Sequence, residues 1–431
     1  MKAFVINTQD NTRVPFLRGI LIRNLMAAGL PFEEAYELAN EVREQLAETE
    51  EISVTELDKM VSALLDSRYD QAIRAQYRAH LAAPARIKVI NRGGAESAFS
   101  RSHLQRYLQS SAVRQDDAEQ ITTKIYNQLL TAGINSISTC QLGYLTYLCL
   151  QQELGKSAAR QYLVWSEFQL SDRPLVLLIG GAVGSGKSSI ATEIGHRLDI
   201  VRMQSTDMLR EVMRSMIPKK LLPVLHCSSF DAWKTLPIQD KRDHDRDLLV
   251  AEGYRAQADL LALACESVMH RAIRESTPLI LEGVHAHPTL VQCVPAESDA
   301  IVVHVTLAVM KEQELKARLL GRSASEPQRR AKRYLRKFDS IWRLQTFVLS
   351  EAERCDTPII PNDDKEAAIF QLISTINQEL SRQFDGSAAD VFGKDVNRVR
   401  RKAAGKSWQQ VLPLLVAARV TPGRAKTAQR G

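Results

Sequence analysis

Residues 175–189 read LVLLIGGAVGSGKSS, an apolar run followed by spaced glycines, a lysine and two serines. From Gly181 to Ser188 the stretch fits G-x-x-x-x-G-K-[ST], after a strand-like run and before a helical pattern reaching about Leu198. In that setting glycines let the backbone curl, so that successive N–H groups and the helix N-terminus face a chain of phosphates. Lys187 adds a point charge between the β- and γ-phosphates, and Ser188 can ligate Mg²⁺. Gly181, Gly184, Ser185, Gly186, Lys187, Ser188 and Ser189 are therefore expected to bind ATP, with Ser188 also on the metal.

A phosphate loop alone suits a pump, a helicase or a kinase equally well. Working outward from it, strand-like runs at 175–180, 200–204, 278–282, 300–307 and 358–361 alternate with helical segments, the longest from about 241 to 275. That alternation predicts an α/β domain over 173–382, a parallel sheet flanked by helices.

After the second strand, Asp207, Arg210 and Arg214 stand at i, i+3 and i+7, on one helical face. A carboxylate there can orient an acceptor hydroxyl and act as its base, while Arg210 and Arg214 hold an anionic substrate. The plainer alternative is that Asp207 is a helix N-cap and the arginines are solvated. Glu282 ends the apolar run Leu279-Ile280-Leu281, at the carboxyl end of its strand, and is read as a second Mg²⁺-side oxygen. His285 is placed on the acceptor side; His285 and His287, two apart on a loop, make a poor metal signature. Between Lys316 and Arg333, arginines flank a Gly/Ser/Pro-containing bend. Arg322, Arg329 and Arg330 are expected to close over ATP as a lid, Arg322 neutralising charge on the transferring phosphoryl group.

Upstream of the loop the chain repeats itself. Val5-Ile6-Asn7 recurs as Val89-Ile90-Asn91, Phe16 and Arg18 as Phe99 and Arg101, and Ile52-Ser53 as Ile137-Ser138. The spacing drifts between 83 and 85 residues, as small loop changes produce. Two copies of one small domain are predicted, over 1–84 and 85–166, each opening on a short strand and continuing helically. Val5-Ile6, Val14-Pro15-Phe16, Leu21, Leu25 and Ala28-Gly29 resemble the ATP-cone pattern, a small nucleotide-sensing module. The second copy lacks the proline before Phe99 and looks more degenerate. Nucleotide binding and a structural or docking role both stay open for the copies, as does oligomerisation through them.

Of the net charge of +7, residues 394–431 carry +9, ten Lys or Arg against Asp395, leaving the rest near −2. A basic, solvated tail over 383–431 is expected, able to touch nucleic acid nonspecifically. No apolar run is long enough to cross a membrane, the N-terminus has no apolar leader, and six scattered cysteines suggest neither zinc nor disulfides. A cytoplasmic protein is expected.

The kinase-like region resembles the 2-phosphoglycerate kinase family over about 173–380. The resemblance rests on Ile179-Gly180-Gly181-Ala182 through Ser188; Thr206-Asp207 through Arg214; Leu221 to His226; Ser228-Ser229-Phe230-Asp231-Ala232-Trp233; Gly253-Tyr254-Arg255-Ala256-Gln257; Leu281-Glu282-Gly283-Val284-His285; and Arg333 to Gln345. It implies a P-loop kinase that uses ATP and Mg²⁺ to convert 2-phosphoglycerate to 2,3-bisphosphoglycerate. Where the family continues with an apolar residue and Val-Pro-Gly after the histidine, this chain has Ala286-His287-Pro288-Thr289. That loop is expected to face the acceptor, which keeps another polyol or inositol phosphate open as substrate. A nucleotide-sensing regulator with a nucleic-acid-binding tail is the alternative from a different class; the presence of Lys187 and Glu282 favours the enzyme.

Overall fold

The computed structural model describes residues 4–7, 12–47, 49–82, 87–238, 245–321, 334–393, 399 and 406–417. The chain divides into two compact units, one of 1–104, 119–156 and 388–423, the other of 105–118, 157–387 and 424–431. The sequence boundaries at 84 and 166 do not coincide with this division.

In the first unit, β1 (Phe4–Asn7) and β2 (Thr12–Pro15) form a hairpin, followed by α1 (Arg18–Ala27) and α2 (Phe32–Gln45). Then β3 (Glu51–Ser53) returns parallel to β1, and α3 (Val54–Arg68) and α4 (Gln71–Ala82) close the first copy. The second copy repeats the pattern: β4 (Lys88–Ile90), β5 (Glu96–Ala98), α5 (Arg101–Ser110), α6 (Gln115–Thr131), β6 (Ser136–Ser138), α7 (Thr139–Glu153) and α8 (Lys156–Gln169). The two sheets have the matching orders β2-β1-β3 and β5-β4-β6. Ile52 pairs with Val5 and Ile137 with Val89, so the repeat seen in the sequence sits at equivalent sheet positions. Ser53 with Glu56 and Ser138 with Gln141 form equivalent capping boxes, each satisfying helix N–H groups that otherwise lack acceptors.

A five-stranded sheet lies in the second unit. It consists of β7 (Leu175–Gly181), β8 (Met203–Ser205), β9 (Leu279–Glu282), β10 (Ile301–Ala308) and β11 (Ile359–Pro361), all parallel, in the order β11-β10-β7-β9-β8. Alternate residues of β7 point to opposite faces, and both faces are covered, which explains a continuous apolar run. Leu175, Leu177 and Ile179 pack with Val164, Trp165 and Phe168 of α8, with α9 (Lys187–Leu198) and with a helix at Lys365–Ser381. Val176 and Leu178 pack with Cys265 and Met269 of the helix Arg246–Arg274.

The expectation of a solvated arm from 383 onward does not hold for the described part. Residues Ala388–Phe392 and Trp408–Ala417 are helical, and Trp408, Val411, Leu412 and Leu415 are buried. Within the first unit Gln141 Nε2 donates to the Leu415 carbonyl, and the Trp408 backbone N–H donates to Gln152 Oε1. The apolar run WQQVLPLLV was outweighed, in the composition reading, by the basic residues around it. Apart from Lys406, those basic residues lie outside the described residues. All six cysteines are free, and among the described residues no helix is long and apolar enough to cross a membrane.

Candidate active site

The first strand of this sheet, β7, occupies its middle, with chain connections departing to both sides, so its carboxyl end is a topological switch point where α/β folds place ligands. The glycine-rich loop emerges there. Gly186 has φ +87°, and a β-carbon on it would meet Asn362 Nδ2 at 2.3 Å, so only glycine fits. The loop is braced from below: Asn362, at the end of β11, donates from Nδ2 to the Ser185 carbonyl at 2.8 Å. Arg318 Nη2 donates in turn to the Asn362 carbonyl and, at 2.6 Å, to Glu314. Lys187 is buried and donates to the Ala182 carbonyl at 2.8 Å, while Ser188 and Ser189 are exposed at the start of α9.

Two sequence-predicted residues meet here. Register places Glu282 opposite Ile179, and Ser188 Oγ donates to Glu282 Oε1 at 3.0 Å. A hydroxyl and a carboxylate are the oxygen donors Mg²⁺ takes, usually with several waters completing its shell. The Ser185 hydroxyl, buried in the loop, has no partner within the protein. Loop cradle, orphan hydroxyl and paired oxygens therefore fit a metal-bound polyphosphate. Among the described residues no group of three His, Cys, Asp or Glu side chains is placed to hold a metal ion.

The neighbouring strand β8 leads into α10 (Thr206–Met216). Ser205, not Asp207, caps this helix, its Oγ accepting from the Asp207 N–H at 3.2 Å. The Asp207 carboxylate is free of capping duty and lies 3.3 Å from Arg210 Nη2. Arg210 Nη1 donates to the Cys227 carbonyl at 2.7 Å. Arg214, expected on the same anion site, pairs with Glu211 at 3.3 Å on the exposed side of the helix. Arg322, Arg329 and Arg330 lie outside the described residues.

Beyond Glu282 the chain makes a close approach to α10. Gly283 has φ +152°, and a β-carbon on it would sit 1.8 Å from Thr206 Oγ1. Tyr254 fixes the next residue, its hydroxyl donating to the Val284 carbonyl at 2.8 Å. His285 is fully buried, its ring 5.9 Å from that of Tyr254 and nearly parallel to it. Burial drives its pKa down to about 3, with Asp207 opposing and Arg210 and Lys187 adding to the shift. After His285 the loop turns inward, contrary to the expectation that it faces the acceptor. The Ala286 carbonyl accepts from His304 Nε2 at 3.1 Å, His287 Nδ1 lies 2.8 Å from Thr289 Oγ1, and Pro288 and Leu290 are buried. His287 Nε2 approaches Glu351 at 3.4 Å, and Arg354 and Arg255 hold that carboxylate below the usual range.

Asn362, Arg318, Gln257 and Thr206 were not singled out in the sequence as site residues. Asn362 carried a usable signal, a polar residue at the carboxyl end of a strand in a parallel sheet.

The ATP-cone family model matches residues 87–171. This is the second copy, the one that looked more degenerate; its turn Asn91-Arg92-Gly93-Gly94 is closed by Asn91 Oδ1 accepting from the Gly93 and Ala95 N–H groups. Among curated proteins the chain is similar to 2-phosphoglycerate kinase of Methanopyrus kandleri, 35% identical over 286 residues, covering 66% of this chain and 85% of that one. The enzyme of the same name from Pyrococcus horikoshii is 30% identical over 306 residues (71% and 98%), and that from Pyrococcus furiosus 33% over 294 (68% and 94%). With the phosphate loop, the strand-end glutamate and the Asp207–Arg210 pair in one site, and relatives covered over most of their length, the chain belongs to the 2-phosphoglycerate kinase family.

Proposed function

We propose that this protein transfers the γ-phosphoryl group of ATP to the hydroxyl of a small phosphorylated acid, 2-phosphoglycerate, forming 2,3-bisphosphoglycerate. The observation that carries this reading is the pairing of Ser188 with Glu282 directly beside the Asp207–Arg210 pair, a donor half and an acceptor half on adjacent strand ends. Phosphoryl transfer needs positioning and charge neutralisation more than covalent chemistry from the protein. Backbone N–H groups of the loop and Lys187 would hold the β- and γ-phosphates. Ser188 and Glu282 would hold Mg²⁺, which when bound neutralises charge on the phosphates. Arg210 would hold the acceptor's phosphate, with Arg214 reaching it only on rotation toward the site. Asp207 would take the hydroxyl proton; its side chain is 59% exposed, so the proton has a route to water. Arg322, Arg329 and Arg330 would supply the lid. We place the reaction in the cytoplasm, where free thiols and ATP coexist.

The inward turn of 286–290 supports the parent acceptor over an enlarged polyol, since the residues that depart from the family pattern are engaged with His304, Thr289 and Glu351. ADP release measured with ATP, Mg²⁺ and a panel of phosphorylated three-carbon acids, sugar phosphates and inositol phosphates tests the proposal. Stimulation by 2-phosphoglycerate above the others is expected. Absence of acceptor-stimulated turnover, together with salt-sensitive nucleic-acid binding lost on deleting 394–431, would favour the regulator instead. The matching strand orders of the two copies support a cone-like nucleotide module for each.

A further inference from the structure

Gln257 and His285 are buried, 0% and 1% exposed, and joined by a hydrogen bond. Gln257 Nε2 faces two backbone carbonyls, of Val224 at 2.5 Å and of Cys227 at 3.2 Å. Carbonyls only accept, so the NH₂ end of the amide must lie there and its oxygen must point the other way. That oxygen lies 2.7 Å from His285 Nε2. Being an acceptor, it requires Nε2 to carry a hydrogen. Burial keeps the imidazole neutral, so the ring has only that one hydrogen and Nδ1 is a bare acceptor.

Nδ1 is buried and has no partner within the protein. The imidazole as a whole lies within electrostatic reach of Asp207, Arg210 and Lys187, which puts the ring beside the acceptor half of the site. The Cys227 carbonyl that receives Gln257 also receives Arg210 Nη1, so one oxygen joins Arg210 to Gln257, whose own amide oxygen holds His285. Arg210 Nε and Thr206 Oγ1 are likewise buried without partners. Stacking on Tyr254, itself tied to the Val284 carbonyl, resists rotation of the ring.

We propose that Gln257 is a positioning residue that locks His285 in its Nε2–H tautomer, so that the bare Nδ1 receives the hydrogen bond of the acceptor's hydroxyl. This rests on the proposed kinase reading. Phosphate and carboxylate oxygens of an ionised acceptor can only accept, so they oppose Nδ1; the hydroxyl is the group of a phosphorylated hydroxy acid that fits. His285 orients the hydroxyl in the bound state; at transfer its single O–H hydrogen turns from Nδ1 to the Asp207 carboxylate, which takes the proton as the oxygen bonds to phosphorus. A product whose hydroxyl has been phosphorylated loses this contact.

Three variants and one spectroscopic measurement test the inference. In H285Q the new amide can keep the bond to Gln257 but offers nothing at the Nδ1 position; in H285N the amide oxygen can occupy that position. Q257L removes the lock. For H285Q and Q257L the expected result is a rise in acceptor KM, or fall in kcat/KM, of about tenfold or more with ATP KM unchanged, the loss that follows from an unmade buried hydrogen bond. H285N is expected to recover part of it. Ring ¹⁵N NMR of the wild-type protein labelled at histidine should show His285 protonated at Nε2, with its Nδ1 resonance shifting when 2-phosphoglycerate is added. Protonation at Nδ1, or an unchanged acceptor KM and kcat/KM in H285Q, overturns the inference while leaving wild-type turnover intact. No wild-type turnover with 2-phosphoglycerate overturns the underlying reading instead. If the variants do not fold, the wild-type spectrum decides.

Discussion

Asn362→Ala isolates the brace under the phosphate loop. The side chain is buried, and its single amide hydrogen bond to the Ser185 carbonyl spans 2.8 Å. Truncation leaves that carbonyl without a partner in a buried loop, a penalty of about 1–3 kcal/mol. The five-stranded sheet does not need to unfold to relieve it. The loop between Gly181 and Lys187 can relax so that the carbonyl reaches water, and ATP must then restore the loop at the cost of its own binding energy. The same 1–3 kcal/mol therefore appears as a rise of roughly 5- to 150-fold in the ATP Kd, with 1.4 kcal/mol per tenfold. Asn362→Asp should be worse than alanine, because a carboxylate puts a second acceptor against the Ser185 carbonyl. Calorimetric titration with a non-hydrolysable ATP analogue, alongside a thermal melt, reads both quantities. Unchanged nucleotide affinity with a lowered Tm would refute the reasoning, since it would show Asn362 supporting the fold and not the loop.

Lys187→Ala is expected to abolish ATP turnover, whereas Arg210→Ala should raise the acceptor KM or lower kcat/KM with little change for ATP; a weakened ATP affinity in the second variant would put Arg210 on the wrong side of the site. Stability should fall on acidification below pH 6.5. His285 and His304 are buried neutral, with pKa values pushed down by burial to about 3 and about 4, so between those values and 6.5 the unfolded chain binds more protons than the folded one. Each contributes a slope of up to about 1.4 kcal/mol per pH unit, and a Tm that holds level from pH 7 to pH 5 would contradict this. Trp408→Ala removes a side chain that is 2% exposed and should destabilise the first unit by about 3–5 kcal/mol, visible as a lowered unfolding midpoint for that unit.

What was legible in the sequence was what local geometry demands. The phosphate loop shows because glycines, lysine and serine must stand at fixed spacing for one backbone turn, and Ser188 and Glu282 do come together. The three central strands β10, β7 and β9 were located to within one residue at each end because buried parallel strands are continuous apolar runs, whereas the edge strand Met203–Ser205 is exposed to half-buried. The strand-end position of Asn362 is visible locally, but its role as a brace is not, because its partner Ser185 lies 177 residues away. The third strand of each small sheet, Glu51–Ser53 and Ser136–Ser138, is too short to display a period of two. The docked helix Trp408–Ala417 was masked by charge because composition averages over a window, while burial depends on one face.

The glutamate and glycine of Leu281-Glu282-Gly283 act as one unit. Glu282 can reach Ser188 only if β9 ends opposite Ile179 and the chain then passes hard against Thr206, the first residue of α10. A side chain at 283 would meet Thr206 Oγ1 at 1.8 Å, and φ of +152° is itself a conformation that L-residues avoid. Any relief must separate the end of β9 from the start of α10. Moving β9 draws Glu282 off Ser188 on the proposed donor side; moving α10 shifts Asp207 and Arg210 on the proposed acceptor side. Gly283 therefore sets the distance between the two halves of the site, and Gly283→Ala should lower kcat more than it changes the KM of either substrate, because in-line transfer depends on that separation more steeply than the binding of each ligand does.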